Sequence, residues 1–177
     1  MDRRLQEGGR GPAEPDAVSE ASGFTLRGLR PRDAEAVHRL ILALAAYEKL
    51  EHEVTASAQD YYGALATRRI QGLLAEAEGE AIGICLWYET FSTFAGRTGL
   101  WIEDVYVEPE FRRHGIGLAF FRAAARHALE AGHAWMEWNV LDWNEPALAF
   151  YRRIGAIPRN EWTDQRLSGE ALRALAG

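Results

Sequence analysis

The stretch Leu100-Trp-Ile-Glu-Asp-Val-Tyr-Val-Glu-Pro-Glu-Phe-Arg-Arg-His-Gly-Ile-Gly-Leu118 decides the fold. Its first eight residues, Leu100 to Val107, are rich in β-branched and aromatic side chains and read as a strand. Past Pro109 the segment Phe111-Arg-Arg-His-Gly-Ile-Gly117 is a glycine loop. Leu118, Phe121, Ala125 and Leu129 then recur on one side of a helix that Gly132 ends. Gly115 and Gly117 let successive backbone N–H groups approach an anion while the helix presents its positive end. The same loop could be a plain helix-entry turn. A dinucleotide fingerprint needs a small residue where Phe120 stands, and a Walker loop needs a Gly-Lys-Ser/Thr that is absent.

Working outward, Phe24 to Arg30 alternates like a short strand, and Pro31 with Asp33 opens a helix that runs to about Lys49. Val37, Leu40, Ile41 and Leu44 form its apolar face. A second helix covers Ser57 to Arg68. Gly72 to Ala77 and Ala81 to Tyr88 flank the turn Glu78-Gly79-Glu80 as an antiparallel hairpin, and a loop from Ser92 to Gly99 leads into the Leu100 strand. Beyond Gly132, Ala134 to Leu141 reads as a strand. Asn144 caps a helix that holds Glu145 and Pro146 in its first turn and that Gly155 closes. A strand from Arg159 to Leu167 and a terminal helix from Ser168 to Ala176 complete the chain. The expected class is α/β, with a mixed, mostly antiparallel central sheet and flanking helices.

Residues 1–23, rich in Gly, Pro, Ala and acidic residues, read as a flexible tail, leaving 24–177 as a single domain. Of 177 residues, 47% are hydrophobic and 26% charged, a balance that supports a buried core. The formal net charge of −6 argues against a surface built to grip nucleic acid or anionic lipid. The single cysteine, Cys85, excludes an internal disulfide and a cysteine-rich metal site. No metal is expected, because the histidines lack ligand spacing. No apolar run has the length of a membrane span, and the first 20 residues lack the apolar centre of a signal peptide, so the expected compartment is the cytoplasm.

Arg112-x-x-Gly115-x-Gly117 between a strand and a helix resembles the coenzyme A pyrophosphate loop of the GNAT acyltransferase superfamily. The resemblance extends to its diamine (spermidine/spermine) acetyltransferase branch through Tyr47-Glu48, Ile102-Glu103-Asp104, Trp143-Asn144-Glu145-Pro146, Phe150-Tyr151 and Gly155-Ala156. It covers about Phe24 to Leu175 and implies the GNAT fold, acetyl-CoA as cosubstrate, a small-molecule amine as acceptor and a homodimer. It also implies that the backbone of Val105, Tyr106 and Val107 takes the pantetheine arm and the acetyl carbonyl. Arg112, Arg113, His114, Gly115, Ile116, Gly117 and Leu118 would take the pyrophosphate, and Asn144 would also touch the coenzyme. Tyr151 matches the tyrosine that protonates the departing thiolate, and Glu103 the carboxylate that draws a proton from the amine. Tyr47, Glu48, Glu103, Asn139 and Glu161 fall at acceptor positions.

These roles suit the chemistry. An alkyl ammonium of pKa about 10.4 is neutral in roughly one molecule in a few thousand at pH 7, and only the neutral amine attacks a thioester. A positioned base adds about 10²- to 10⁴-fold. Tyr151 could instead pack on the core side of its helix. Glu103 and Asp104, adjacent on a strand, are expected on opposite faces, with Glu103 the functional one. Tyr47, Glu48, Glu51 and Glu53 end the first helix with carboxylates able to hold an ammonium group or to form a solvated acidic loop. Lys49 follows Glu48, and the loop Phe91 to Arg97 has no carboxylate. A small diamine or an amino acid with a terminal amine, such as lysine or thialysine, therefore fits as well as spermidine or spermine. A protein or peptide amine, an aminoglycoside, and a non-catalytic acyl-CoA-binding regulator remain alternatives.

Overall fold

A computed structural model describes residues 23–159, 161 and 163–177. It contains two compact units, one ending at Asn139 and one spanning Val140–Gly177. The predicted tail, apart from Gly23, lies outside the described residues.

The first unit runs β1 (Thr25–Gly28), α1 (Ala34–Glu48), α2 (Ala58–Ala66), β2 (Gln71–Ala77), β3 (Glu80–Ser92), β4 (Arg97–Val107), α3 (Ile116–Glu130) and β5 (Met136–Glu137). The five strands lie in the order β1-β2-β3-β4-β5. The first four pair antiparallel, and β5 pairs parallel to β4. The mixed, mostly antiparallel sheet is as expected.

Each face of the sheet buries its own apolar layer. Ile116, Phe120, Ala124 and Ala128 of α3 pack with Leu26, Leu73, Cys85, Trp87, Leu100 and Ile102. Val37, Leu40 and Ile41 of α1 and Leu65 of α2 pack with Leu74, Ile84, Leu86 and Tyr106. Full burial of each such Leu, Ile, Val or Phe contributes about 1.5–3 kcal/mol relative to exposure. Arg27 fastens the entry to α1, donating to both carboxylate oxygens of Asp33 at 2.7 and 2.8 Å and to Glu76 at 2.8 and 2.9 Å.

The middle strand pairing is irregular. Opposite β3, Leu86 pairs with Asp104 and Trp87 with Ile102, leaving Glu103 as a bulge with no cross-strand partner. The side-chain alternation of β4 changes phase there: Leu100 and Ile102 face α3, as do Val105 and Val107, while Tyr106 faces α1 and α2. The pairing with β5 involves only Leu100 and Trp101. From Ile102 onward, that edge of β4 has no strand partner among the described residues.

The second unit holds α4 (Glu145–Arg153) and α5 (Gly169–Ala176). Pro146 stands in the first turn of α4, and the Asn144 Oδ1 accepts from the Ala147 N–H at 3.4 Å.

Two expected strands are corrected. Ala134–Leu141 shrinks to Met136–Glu137, because the parallel pairing available to it ends where β4 enters its bulge. The described residues of Arg159–Leu167 form no strand; they are exposed, and Asp164, Gln165 and Arg166 interrupt any apolar alternation. Asn160 and Trp162 in that segment lie outside the described residues.

Candidate active site

The glycine loop leaves β4 and enters α3 through two left-handed residues, Arg113 at φ 66° and Gly115 at φ 86°. Arg113, His114 and Gly115 are exposed. The first intrahelical bond described is from Ala119 N–H to the Gly115 carbonyl, and no side chain among the described residues caps the helix. The N–H groups of Ile116, Gly117 and Leu118 therefore open the helix as uncapped donors beside the positive end of its dipole. A Cβ at Gly117 would meet nothing within 4 Å among the described residues, so they leave the space over this first turn open. The loop fits a phosphate-bearing group such as that of a coenzyme A thioester.

Arg112 points elsewhere. Its Nε donates to the Val107 carbonyl at 2.9 Å, and its guanidinium carbon lies 4.7 Å from the Tyr47 ring centroid and 5.6 Å from that of Tyr106. It ties the loop to the end of α1. There Lys49, at φ 62°, takes the left-handed position usually held by glycine, and the Leu50 N–H reaches back to the Ala45 carbonyl at 2.8 Å. This closure fixes the last helical residues, Tyr47 and Glu48, both partly buried.

The bulge corrects the expectation for Glu103 and Asp104. The phase change puts both on the α1–α2 face rather than on opposite faces. Glu103 is exposed and accepts a hydrogen bond from the Trp101 indole at 2.8 Å. Asp104 is partly buried. Burial foremost, then the charges of Glu103 and Glu48, push its carboxyl up to about 7. Burial likewise raises Glu48. Tyr61 of α2 is raised by burial and by the Asp104 charge, and Tyr88 of β3 by burial and by Glu103. Three carboxylates from α1 and β4 and two phenols thus share one electrostatic neighbourhood. An ammonium group would relieve the repulsion: one pair at about 4 Å is worth roughly 4 kcal/mol at an effective dielectric of 20.

Glu48 and Glu103, expected at the acceptor from the sequence, lie in this neighbourhood, and Tyr47, next to Glu48 on α1, stacks under Arg112; Asp104, Tyr61, Tyr88 and Trp101 were not foreseen there. Tyr61 had a readable signal, since it lies one turn before the buried Leu65 on α2. Glu51 and Glu53 are exposed in a short 3₁₀ turn after α1. Val105, Tyr106 and Val107 pair with β3 and lie along the β4 edge that β5 leaves open. Asn139 is exposed at the end of the first unit.

In the second unit, Tyr151 is partly buried on α4, its ring 5.5 Å from that of Phe150. Its carbonyl accepts the Ala156 N–H at 3.0 Å, just beyond Gly155 at φ 87°. Asn144 caps α4, and Glu161 is exposed. Cys85 is fully buried in β3, and burial pushes its thiol well above the usual range, which disfavours a thiolate nucleophile. Among the described residues, no group of three or more His, Cys, Asp or Glu is placed to hold a metal ion, and no helix is long and apolar enough to cross a membrane.

Residues 35–156 match the acetyltransferase (GNAT) family. The chain is 38% identical over 167 residues to the thialysine N-epsilon-acetyltransferase of Bos taurus, a match covering 86% of this chain and 96% of that protein. It is 26% identical to an L-ornithine N5-acetyltransferase of Arabidopsis thaliana, over 92% of this chain and 94% of that one. Among solved structures, an aminoglycoside acetyltransferase from a soil metagenome shares the fold, with a TM-score of 0.72 at 17% identity over 84% of this chain and 97% of the other. With the family match spanning most of the chain, and a strand, uncapped glycine loop and helix at its centre, the protein belongs to the acetyltransferase (GNAT) family.

Proposed function

We propose that this acetyltransferase moves the acetyl group of acetyl-CoA directly to the terminal primary amine of a small, lysine-like amino acid. The observation that carries this reading is the pair Glu103 and Asp104 on one face of the bulge, with Glu48 of α1 acting on Asp104, beside the β4 edge that β5 leaves open. The relatives that act on thialysine and ornithine support the acceptor class, as both substrates end in a primary amine. Acetyl-CoA supplies an activated thioester.

The protein's own groups do the rest. Backbone N–H groups from Arg113 to Leu118 hold the pyrophosphate, and Val105 to Val107 line the arm. Asn144 adds a contact to the coenzyme. Glu48 and Asp104 attract the ammonium form, with Tyr47, Asn139 and Glu161 bordering the acceptor. Glu103 takes the ammonium proton through water, freeing the lone pair. The amine nitrogen then bonds to the acetyl carbon as the carbon–sulfur bond breaks, and the Tyr151 hydroxyl gives its proton to the sulfur. Holding both reactants in register is worth about 7–11 kcal/mol of barrier, more than the proton transfers. No covalent carrier is needed, in keeping with the buried Cys85. The same reading takes the enzyme to be a metal-independent cytoplasmic homodimer; a single 20 kDa species in light scattering would remove the dimer.

A competition among thialysine, lysine, ornithine, putrescine, spermidine, a lysine peptide and an aminoglycoside, with products located by tandem mass spectrometry, tests the acceptor. Acetylation is expected foremost at the terminal nitrogen of the amino acids. Exclusive modification of the peptide, the aminoglycoside or a polyamine would replace this acceptor class, and tight acetyl-CoA binding without turnover would favour a regulator.

A further inference from the structure

We propose that Trp101 is the positioning residue for Glu103, holding its carboxylate in one orientation at the point where the sheet opens; this rests on the reading that Glu103 accepts the amine proton. Glu103 is exposed and, as the bulge residue, lacks the cross-strand partner that fixes its neighbours. An unrestrained glutamate samples several rotamers, each a different distance from a bound amine. The Trp101 Nε1–H, 2.8 Å from Glu103 Oε2, supplies a restraint from a neighbour on the same strand, alongside the side-chain hydrogen bond that Glu103 shares with Tyr88. That length is typical of a charge-assisted bond.

Trp101 is itself held firmly. Its backbone pairs with Tyr88 of β3 on one side and Glu137 of β5 on the other, and it is the last β4 residue paired to β5. Its ring leans on Tyr88, with centroids 6.4 Å apart at 33°. The two-residue spacing before the bulge puts Trp101 and Glu103 on one face, so the indole reaches the carboxylate from a rigid, doubly paired position. The bond to Trp101 is made at Oε2, and the Tyr88 phenol, on which the Trp101 ring leans, shares a side-chain hydrogen bond with the same carboxylate.

The test is a double-mutant cycle of Trp101→Phe and Glu103→Ala on the full chain, read as kcat and KM for acetyl-CoA and for thialysine. Trp101→Phe is expected to lower kcat about tenfold or more and to leave KM for acetyl-CoA unchanged. In the Glu103→Ala background the same substitution is expected to have almost no effect on kcat. If Trp101→Phe unfolds, Trp101→3-benzothienylalanine, which replaces only the indole N–H by sulfur, serves in its place. A wild-type kcat in either Trp101 variant, or an equal loss with Glu103 absent, overturns the proposal. A fully active Glu103→Ala enzyme refutes instead the assignment of Glu103 on which the proposal rests.

Discussion

Asp104→Asn separates the folding cost of the carboxylate cluster from its use. In the folded protein the Asp104 carboxyl is pushed from 3.8 to about 7, first by burial and then by Glu103 and Glu48. The folded state therefore binds this proton more tightly than the unfolded chain. The penalty is absent below about pH 3.8, grows as pH rises and is complete above about pH 7. At about 1.36 kcal/mol per pH unit, a shift of that size costs up to about 4 kcal/mol at pH 8 and less than half of that at pH 5. Relaxation and water entry reduce both figures, so a net gain on the order of 2 kcal/mol at pH 8 is expected of the neutral isostere. Urea unfolding of both proteins at pH 5 and pH 8 reads the difference directly. Asp104→Asn should be the more stable at pH 8, with an advantage that shrinks toward pH 5, and should bind the amine acceptor more weakly. A variant less stable than the parent at pH 8, or an advantage independent of pH, would refute the argued burial of charge.

Three further outcomes are expected. Gly99→Ala should destabilise the protein by about 1–3 kcal/mol in thermal unfolding, because a Cβ there would run into the indole of Trp135, a residue whose carbonyl accepts from the Leu100 N–H of β4 at 3.0 Å. Gly115→Ala, at φ 86°, should cost about 1–2 kcal/mol of stability and raise KM for acetyl-CoA with little change in kcat, measured by initial rates. Tyr151→Phe should lower kcat about a hundredfold or more while acetyl-CoA affinity, followed by calorimetry, stays near that of the parent; unchanged turnover would remove Tyr151 from the acid role.

The elements with one-dimensional signals were legible in the sequence. The spacing of Val37, Leu40 and Ile41 marked the buried face of α1, the Glu78-Gly79-Glu80 turn marked the β2–β3 hairpin, and Gly115 and Gly117 marked the entry to α3. Asn144 and Pro146 likewise announced α4. What escaped was set by pairing between strands. The bulge at Glu103 is a property of how β4 meets β3, and nothing in Ile102-Glu103-Asp104 reveals it; strict alternation therefore sent Asp104 to the wrong face. The short β5 follows from the same local geometry of β4. The contacts of Arg112 with Val107 and Tyr47, on β4 and α1, are likewise set by the packing of elements and not by its place in the glycine motif.

The most direct test of the central claim is release of the coenzyme A thiol from acetyl-CoA, followed with and without thialysine, together with the mass of the product. Direct transfer predicts amine-dependent release, one acetyl group per thialysine on its terminal nitrogen, and no acetylated protein. Tight acetyl-CoA binding with no release under any amine, or an acetyl group trapped on Cys85, would contradict it.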